Sequence, residues 1–165
     1  MRKRLPLVLI AVLTGVVMLG PGAPVSSEES QETTLRLFEG MPTFIRDIDE
    51  KPKGESPGDW SVVIAPLFDP QTCQRVGRNV GRFVLVRPLR GGDAWAIIDS
   101  TLNLRQGRIT IYGSFRFSEF FGGGVDHAVT GGTEAFKFAR GDVVVGPADL
   151  CGQEGSIYEF DLRLD

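Results

Sequence analysis

The feature that most constrains this fold is a period-two alternation of apolar and polar residues, which recurs between residues 42 and 164. In the segment RITIYGSFRF (108–117), isoleucine, glycine and phenylalanine occupy one face of an extended strand, and mostly polar residues occupy the other. The C-terminal segment YEFDLRLD (158–165) alternates in the same way. After the first 27 residues, no segment keeps a helical period over about ten residues. The pattern therefore predicts an all-β protein.

Turn residues separate the apolar runs and divide the chain into eight predicted strands. They are residues 42–50, 59–68, 74–87, 94–104, 107–117, 126–130, 135–145 and 156–164. Short turns between successive strands indicate an antiparallel meander, and about eight strands suffice to close a barrel that can hold one small ligand. The 21 glycines fit strands that bend as they close. We therefore predict one domain, residues 42–165, folded as an eight-stranded antiparallel up-and-down β-barrel.

The predicted connections differ in length between the two ends of this barrel. Because connections alternate between the ends of a meander, one end receives the longer loops 51–58, 88–93, 118–125 and 147–156. The other end receives the tighter turns 68–73, 104–107 and 130–135. Ligand sites tend to lie where variable loops crown a rigid scaffold. We therefore expect an open mouth at the first end and a closed floor at the second.

The first 27 residues have the pattern of a secretory signal peptide. Three basic residues (2–4) precede an uncharged apolar run (5–19) and then small residues up to Ser27. The run is shorter than the roughly 20 residues of a membrane span, so we expect cleavage and secretion, the alternative being an uncleaved membrane anchor. Residues 28–41 are expected to form a flexible lead-in, because they begin with the polar segment EESQETT.

The charge balance argues against nucleic acid and anionic membranes as partners. The whole chain has a formal net charge of −3, and loss of the three basic residues in the signal segment changes it to about −6. An acidic surface repels polyanions. The sequence also has no basic patch with interleaved aromatic residues. We therefore expect neither nucleic acid nor an anionic membrane as a partner.

Two cysteines, Cys73 and Cys151, remain in the expected mature chain. In an oxidising compartment a disulfide is the default expectation. The predicted topology opposes it, because Cys73 then lies at the floor and Cys151 at the mouth, farther apart than the roughly 7 Å between Cα atoms that a disulfide allows. The sequence alone therefore leaves open whether Cys73 and Cys151 form a disulfide or remain free thiols.

Three glycine-containing segments resemble, in this order, segments of one barrel superfamily. They are RVGRNVG (75–81), GRITIYG (107–113) and AVTGGTEAFKFARG (128–141). The last is similar to the corresponding part of allene oxide cyclases and plant dirigent proteins, in which a glycine pair and a threonine lead into an aromatic residue and Ala-Arg-Gly. These families share one eight-stranded barrel, so the resemblance implies this fold. The pair Gly131–Gly132 is expected at a tight turn between two strands.

The resemblance to allene oxide cyclases also implies candidate site residues in and after the first predicted strand. Asp47 takes the place of a glutamate in the cyclase pocket, and Asp49 takes that of an asparagine that helps to hold a bound water. Ser56 and Pro57 match the Ser-Pro of the following loop after one extra residue. These matches imply a polar site at one end of the barrel.

Two departures from the cyclases limit what the resemblance implies. Ala65 stands where the cyclases have a water-binding asparagine, and Phe83 stands where they have a pocket cysteine. Phe83 and Phe115 are interpreted either as core residues or as residues that line a ligand pocket. The resemblance therefore implies the barrel but not the plant reaction.

The charged candidates each keep two interpretations at this point. Asp47 and Asp49 share one strand face, which either lines the barrel or faces solvent. Arg140 is a ligand contact or half of a structural ion pair, and Arg78 is a ligand contact or a surface arginine. His127 is the only histidine, without the partners of a metal site or a catalytic triad, so we predict no metal. It is interpreted as a strand-entry residue at the mouth, the alternative being a catalytic role.

The sequence and the resemblance together favour a secreted barrel that binds a hydrophobic small molecule without a cofactor. Barrels of this type hold a reactive substrate in one folded shape, and thereby template its cyclisation or stereoselective coupling. This implies an isomerase-like or dirigent-like activity in secondary metabolism. The alternative is a non-catalytic secreted ligand-binding barrel, comparable in use to a lipocalin. The resemblance further implies a homo-oligomer, a dimer or a trimer, and in the dirigent case an oxidase partner.

Overall fold

The computed structural model describes residues 31–50 and 53–164, which form nine β-strands and one short α-helix. The elements are β1 (Gln31–Glu39), β2 (Phe44–Ile48), β3 (Trp60–Phe68), β4 (Arg75–Pro88), β5 (Ala94–Leu104), β6 (Gly107–Arg116), α1 (Phe117–Gly123), β7 (Val125–Glu134), β8 (Arg140–Leu150) and β9 (Gln153–Leu164). A 3-10 turn, Arg90–Gly92, connects β4 and β5. The expected signal peptide (1–27) lies outside the described residues. Within them, no helix has the length and hydrophobicity needed to span a membrane.

Eight of these strands close into an antiparallel barrel, which confirms the predicted fold. Strands β3 to β9 pair in sequence order, and β1 pairs with β9 along its whole length. The barrel closes where β1 also pairs with β3, through Phe38 with Phe68 and Glu39 with Leu67. We call this two-pair contact the closing seam. The remaining strand, β2, extends the sheet by pairing with the first part of β3.

The first strand of the barrel lies in the segment that we expected to be a flexible lead-in (28–41), and that expectation was wrong for residues 31–39. Leu35 and Leu37 pair with Phe160 and Tyr158 of β9 and so continue the apolar interior. The strand was missed because its alternation is short and follows a run of polar residues. The predicted strand 42–50 exists as β2, but it is the extra strand.

The barrel interior is filled by side chains at alternating positions of each strand. They form a large cluster that includes Leu102, Ile109, Val143 and Phe160. A smaller cluster, which consists of Ala96, Ile98, Phe115 and Val125, has Phe120 of α1 packed against it. Burial of this apolar surface is the main source of stability, at about 25 cal/mol per Å².

The glycine pair lies inside β7 and not at a turn, contrary to the expectation. Thr130 has no partner where the register of β6 and β7 shifts, so the pair follows a β-bulge. Neither glycine has a positive φ. An added Cβ at Gly132 would lie 2.2 Å from the carbonyl oxygen of Phe136. The glycine is therefore required by the close approach of the β7–β8 turn.

A disulfide joins Cys73 to Cys151, with 5.4 Å between their Cα atoms. The expectation that they lie at opposite ends was wrong because the strands of a closed barrel are staggered. At the closing seam, Phe38 pairs both with Phe68 at the end of β3 and with Ile157 near the start of β9. The accumulated stagger thus brings the turn after β3 close to the turn before β9.

Candidate functional site in the barrel lumen

A cavity of about 190 Å³ lies in the barrel lumen against α1. Glu39, His127 and Tyr158 contribute polar groups to its wall. Most of the wall is apolar and includes five phenylalanines, Phe83, Phe115, Phe117, Phe120 and Phe121. An apolar wall with a few convergent polar groups is typical of a small-molecule site. We call this space the lumen cavity.

Helix α1 covers the lumen cavity and is anchored at its start. The amide and the hydroxyl of Ser118 donate to the carboxylate of Asp93, at 3.0 and 2.8 Å. The Ser118 amide is the main reason that the pKa of Asp93 is lowered below its ordinary value. The carboxylate of Glu119 accepts the amide of Arg116 at 3.0 Å. These contacts hold the phenylalanines of α1 in the cavity wall.

A largely buried carboxyl group, Glu39, stands in the wall at the closing seam. Its Oε2 accepts hydrogen bonds from Asn79 Nδ2 at 2.6 Å and from the Tyr158 hydroxyl at 2.9 Å. Asn79 Nδ2 also lies 3.4 Å from the Tyr158 oxygen. We call these three residues the acid cluster. Both of these hydrogen bonds go to Oε2, and the carboxyl group lies in the wall of the lumen cavity, where a bound molecule could contact it.

The surroundings of the acid cluster favour its neutral form. Burial raises the pKa of Glu39 above the ordinary value of 4.5, and the hydrogen bonds from Asn79 and Tyr158 offset this only in part. Burial, together with the charge of Glu39, also raises the pKa of Tyr158 well above 10.0. A protonated carboxyl group in an apolar site can donate a hydrogen bond or a proton to a carbonyl oxygen.

His127 lies in the wall of the same cavity. Its side chain is only 3% exposed and packs edge-on against Phe115, with 5.7 Å between the ring centroids. Gly113 provides the space, because an added Cβ there would lie 2.1 Å from His127 Nδ1. Burial lowers the pKa of His127 below 6.5, and the charge of Asp126 opposes this only in part. The imidazole is therefore neutral near pH 7.

Three buried polar atoms lack a hydrogen-bond partner within the described residues. They are Asn79 Oδ1, Ser100 Oγ and His127 Nδ1. Ser100 Oγ fills the space over Gly81, where an added Cβ would lie 2.5 Å away. Each such atom costs about 1–3 kcal/mol of stability. Unpaired polar groups of this kind often mark functional sites in native proteins.

A second, more open pocket of about 400 Å³ adjoins the lumen cavity and shares Phe83 and Phe117 with it. Asp47 and Asp49 line this pocket. Asp47 faces the inner side of the sheet, because it pairs with Ser61, which in turn pairs with Phe83. The Ser61 hydroxyl donates to Asp47 Oδ1 at 2.5 Å. Both aspartates are exposed, and we call this region the acidic mouth.

The other candidates from the loop after β2 have a structural setting. Ser56 is buried, and its amide and hydroxyl donate to the carboxylate of Asp59 at 2.7 and 3.1 Å. The Ser56 amide is the main reason that the pKa of Asp59 is lowered. Pro57 is exposed beside it. In this structure the Ser-Pro pair shapes the loop at the acidic mouth.

The two candidate arginines lie away from the lumen cavity. Arg78 is exposed on the outer face of β4, next in sequence to the inward Asn79. Arg140 begins β8, and its Nη1 donates to the carbonyl groups of Ala139 at 2.7 Å and Thr130 at 3.4 Å. The structure thus brings Asp47, Asp49, Phe83 and Phe115 into two adjoining pockets, but not the arginines.

The acid cluster was missed by sequence-based prediction. Glu39 fell within the expected lead-in, and its contacts with Asn79 and Tyr158 bridge about 40 and 119 positions of the sequence. One signal could have found Glu39, because it continues the inward alternation of Leu35 and Leu37. A polar residue at an inward position of a strand is a candidate site residue.

Comparison with known proteins identifies the fold. No family model matches the chain, and no curated protein matches it. Pyocyanin demethylase is 18% identical, with a TM-score of 0.65 over 79% of this chain and 99% of that chain. The pterocarpan synthase dirigent protein GePTS1 is 17% identical, with a TM-score of 0.64 over 89% of this chain and 97% of that chain.

A third similar structure is AbnU, described as an exo-specific intermolecular Diels-Alderase. It is 16% identical, with a TM-score of 0.59 over 81% of this chain and 98% of that chain. Likeness at this level of identity establishes a shared fold, and function must be derived from the residues of the site. The chain therefore has the barrel fold of dirigent proteins and Diels-Alderases, as its sequence segments implied.

Proposed function

We propose that this protein is a secreted barrel that holds a hydrophobic metabolite in its lumen and templates the cyclisation or coupling of that molecule. The observation that carries this proposal is the lumen cavity itself, in which an aromatic wall surrounds the carboxyl group of Glu39. The apolar wall selects a hydrophobic molecule, and Glu39 provides an orienting polar contact. The acidic mouth beside it, with Asp47 and Asp49, is the proposed entrance.

Catalysis by such a site rests on confinement. A flexible molecule that is held in one folded conformation reacts without the entropy cost of finding that conformation. The phenylalanine wall keeps water from reactive intermediates. Glu39, held by Tyr158 and Asn79, is placed to stabilise charge that develops on an oxygen of the substrate.

The comparisons support this class of activity by analogy of fold. A pterocarpan synthase dirigent protein and a Diels-Alderase are among the similar structures, and both names describe bond formation on small organic molecules. In this chain, the lumen cavity with the carboxyl group of Glu39 supports the same class of activity independently of the shared fold. The dirigent-like version of the proposal includes a separate oxidase partner, as the resemblance to dirigent proteins implies.

Secretion is supported by two independent features. The first 27 residues have the charge and hydropathy pattern of a signal peptide. The disulfide between Cys73 and Cys151 suits an oxidising compartment, in which such bonds persist. Intact-mass measurement of the exported protein tests this part, and a chain that keeps Met1 in the membrane fraction would contradict it.

The experiment that tests lumen binding is mass spectrometry of molecules retained by the full chain after exposure to extracts of the source cells. Val145→Phe fills the lumen cavity, whereas Val144→Phe places the same ring on the outer face of the same strand, where Val144 is 40% exposed. We expect a hydrophobic molecule to be retained by the wild type and by Val144→Phe, and lost by Val145→Phe.

Incubation of the retained molecule with fresh protein then separates catalysis from simple binding. Formation of a ring or a coupled product, at a rate that Glu39→Gln lowers, supports the templating activity. Retention without any conversion would favour the non-catalytic ligand-binding barrel. Equal retention by the two valine variants would contradict a site in the lumen.

A further inference from the structure

We infer that His127 and Glu39 act as a proton-transfer pair on the lumen ligand, and that this ligand is an enolisable carbonyl compound. The inference rests on the proposed function, because it assigns the substrate class of the same cavity. It starts from the observation that a base and an acid line one small apolar space. No other histidine exists in the chain to share this role.

His127 is not a core residue with both ring nitrogens hydrogen-bonded. Buried histidines usually donate or accept through both ring nitrogens, whereas Nδ1 of His127 has no partner within the described residues. Nδ1 lies against the backbone of Gly113, which has no side chain at that position. The other nitrogen, Nε2, is therefore the atom that a molecule in the lumen cavity could reach.

The fixed position of the ring adds to this assignment. Phe115 packs edge-on against the imidazole from β6, and Gly113 of the same strand bounds it on the Nδ1 side. The titratable groups around the ring are Asp126, which precedes it on β7 and whose charge acts on it, and Glu39, which lines the same cavity. A ring that is held rigidly in an apolar wall needs little reorganisation before it accepts a proton.

Glu39 supplies the complementary acid. Its Oε2 is held by Asn79 and Tyr158, so the carboxyl group is fixed in orientation in the wall of the lumen cavity. Burial raises the pKa of Glu39 and lowers that of His127, so the cavity wall favours the acid form of the first and the base form of the second. A carboxyl group that favours its acid form and an imidazole that favours its base form can act together on one bound molecule, the first as proton donor and the second as proton acceptor.

The step that this pair performs is enolisation. His127 Nε2, in the tautomer that carries the ring proton on Nδ1, takes a proton from the carbon next to a carbonyl group, and the electrons of the broken C–H bond form the C=C bond of the enol. The carbonyl oxygen takes the proton of Glu39, which becomes a carboxylate. His127 then returns its proton to the same carbon or to the far end of a conjugated system. The enol returns its proton to Glu39, so both residues are restored.

Enolisation connects directly to ring formation. The enol of an unsaturated ketone is an electron-rich diene, which is the partner that a cycloaddition consumes. A polar substrate oxygen also gives the acid cluster a contact that a hydrocarbon would not provide. Enolisable ketones therefore fit both the polar groups and the aromatic wall of the lumen cavity.

The test uses 2-tetralone, a compact bicyclic ketone with acidic C–H bonds beside its carbonyl group. Deuterium uptake from D₂O near neutral pH is followed by mass spectrometry, and binding is followed separately by NMR. Because His127 is the only histidine, protein labelled with ¹⁵N-histidine gives one imidazole whose protonation and hydrogen bonding are read directly.

We expect 2-tetralone to shift the Nε2 resonance and to exchange at least about 100-fold faster with the wild type than with His127→Gln or Glu39→Gln. Binding should persist in both variants. Asp161→Asn, which removes an exposed carboxylate from the outer face of β9, should exchange as the wild type does. If His127→Gln does not fold, the shift of Nε2 and the rate above buffer in the wild type carry the test.

The outcomes separate this inference from the proposed function. One outcome is that 2-tetralone binds and Val145→Phe abolishes this binding, but exchange is no faster than in buffer or is unchanged in His127→Gln. This outcome overturns the proton-transfer pair and leaves the lumen site intact. Absence of any binding by 2-tetralone overturns this inference, whereas the lumen site is still supported if a hydrophobic molecule is retained by the wild type and lost by Val145→Phe. A His127 ring that is protonated at pH 7 overturns its role as a base.

Discussion

The lumen cavity and the acidic mouth both carry carboxyl groups on the inner face of one sheet, yet their environments differ. Glu39 is largely buried, is held by Asn79 and Tyr158, and has a raised pKa. Asp47, by contrast, is exposed and accepts a single hydrogen bond from Ser61. Both side chains end in a carboxyl group on the inner face of the sheet, so burial accounts for the difference in their environments.

This contrast teaches which carboxyl group can do chemistry. Water and salt screen the charge of an exposed carboxylate, so it attracts cations or orients an incoming ligand only weakly. A carboxyl group in an apolar wall keeps its proton to higher pH and can donate it to a bound molecule. We therefore assign the acid of the proposed reaction to Glu39, and guidance of the ligand at the entrance to Asp47 and Asp49.

The largest expected effect comes from the disulfide that braces the closing seam beside Glu39. Replacement of both Cys73 and Cys151 by serine should lower the free energy of unfolding by about 4 kcal/mol, because the bond closes a long loop of the unfolded chain. Denaturation by guanidinium chloride measures this loss. Hydrogen exchange should rise in β1 more than in β2, and equal rises in both would contradict a weakened seam.

A smaller loss is expected when the wall of the lumen cavity is overfilled. Gly113→Ala places a Cβ where His127 Nδ1 lies, and should cost about 1–3 kcal/mol and weaken ligand binding in the lumen. Gly122→Ala in α1 is the matched change near the mouth, where an added Cβ meets no atom within 4 Å. Thermal unfolding of both variants compares them, and an equal effect would show that His127 is not fixed by Gly113.

Glu39→Gln should stabilise the protein by about 1 kcal/mol at pH 8, because it removes a functional group that is held in an unfavourable setting. Since the pKa of Glu39 is raised in the folded state, its favourable contribution is present below 4.5 and is lost as the pH rises through the folded pKa. The advantage of the variant should therefore shrink as the pH falls towards 4.5. A constant difference from pH 4 to pH 8 would mean that Glu39 is not buried in solution.

The smallest effect on stability is expected at the acidic mouth. Asp47→Asn should leave the free energy of unfolding within about 0.5 kcal/mol, because the side chain is exposed. It should lower ligand affinity or turnover only a few-fold, and the control Asp161→Asn should change neither. Calorimetric titration with the retained ligand measures this. A loss as large as that of Glu39→Gln would move the functional centre from the lumen to the mouth.

The local sequence pattern and the three resembling segments were sufficient to predict an all-β, eight-stranded barrel, but not that residues 31–39 form its first strand. Alternation of the kind seen in residues 107–117 depends only on neighbours along one strand, so the all-β fold and most strand positions followed from it. The sequence left Phe83 and Phe115 as either core or pocket residues, and the structure shows both in the wall of the lumen cavity.

Only the tertiary structure decided how the barrel closes and what stands at its closure. The stagger of the strands accumulates around the barrel, and no single strand pair records it. That stagger joins Cys73 to Cys151 and brings Glu39 to Tyr158, pairs that are 78 and 119 positions apart. Burial of Glu39, and hence its chemistry, is a property of the closed barrel, because a carboxyl group becomes an acid of raised pKa only when distant strands exclude water from it.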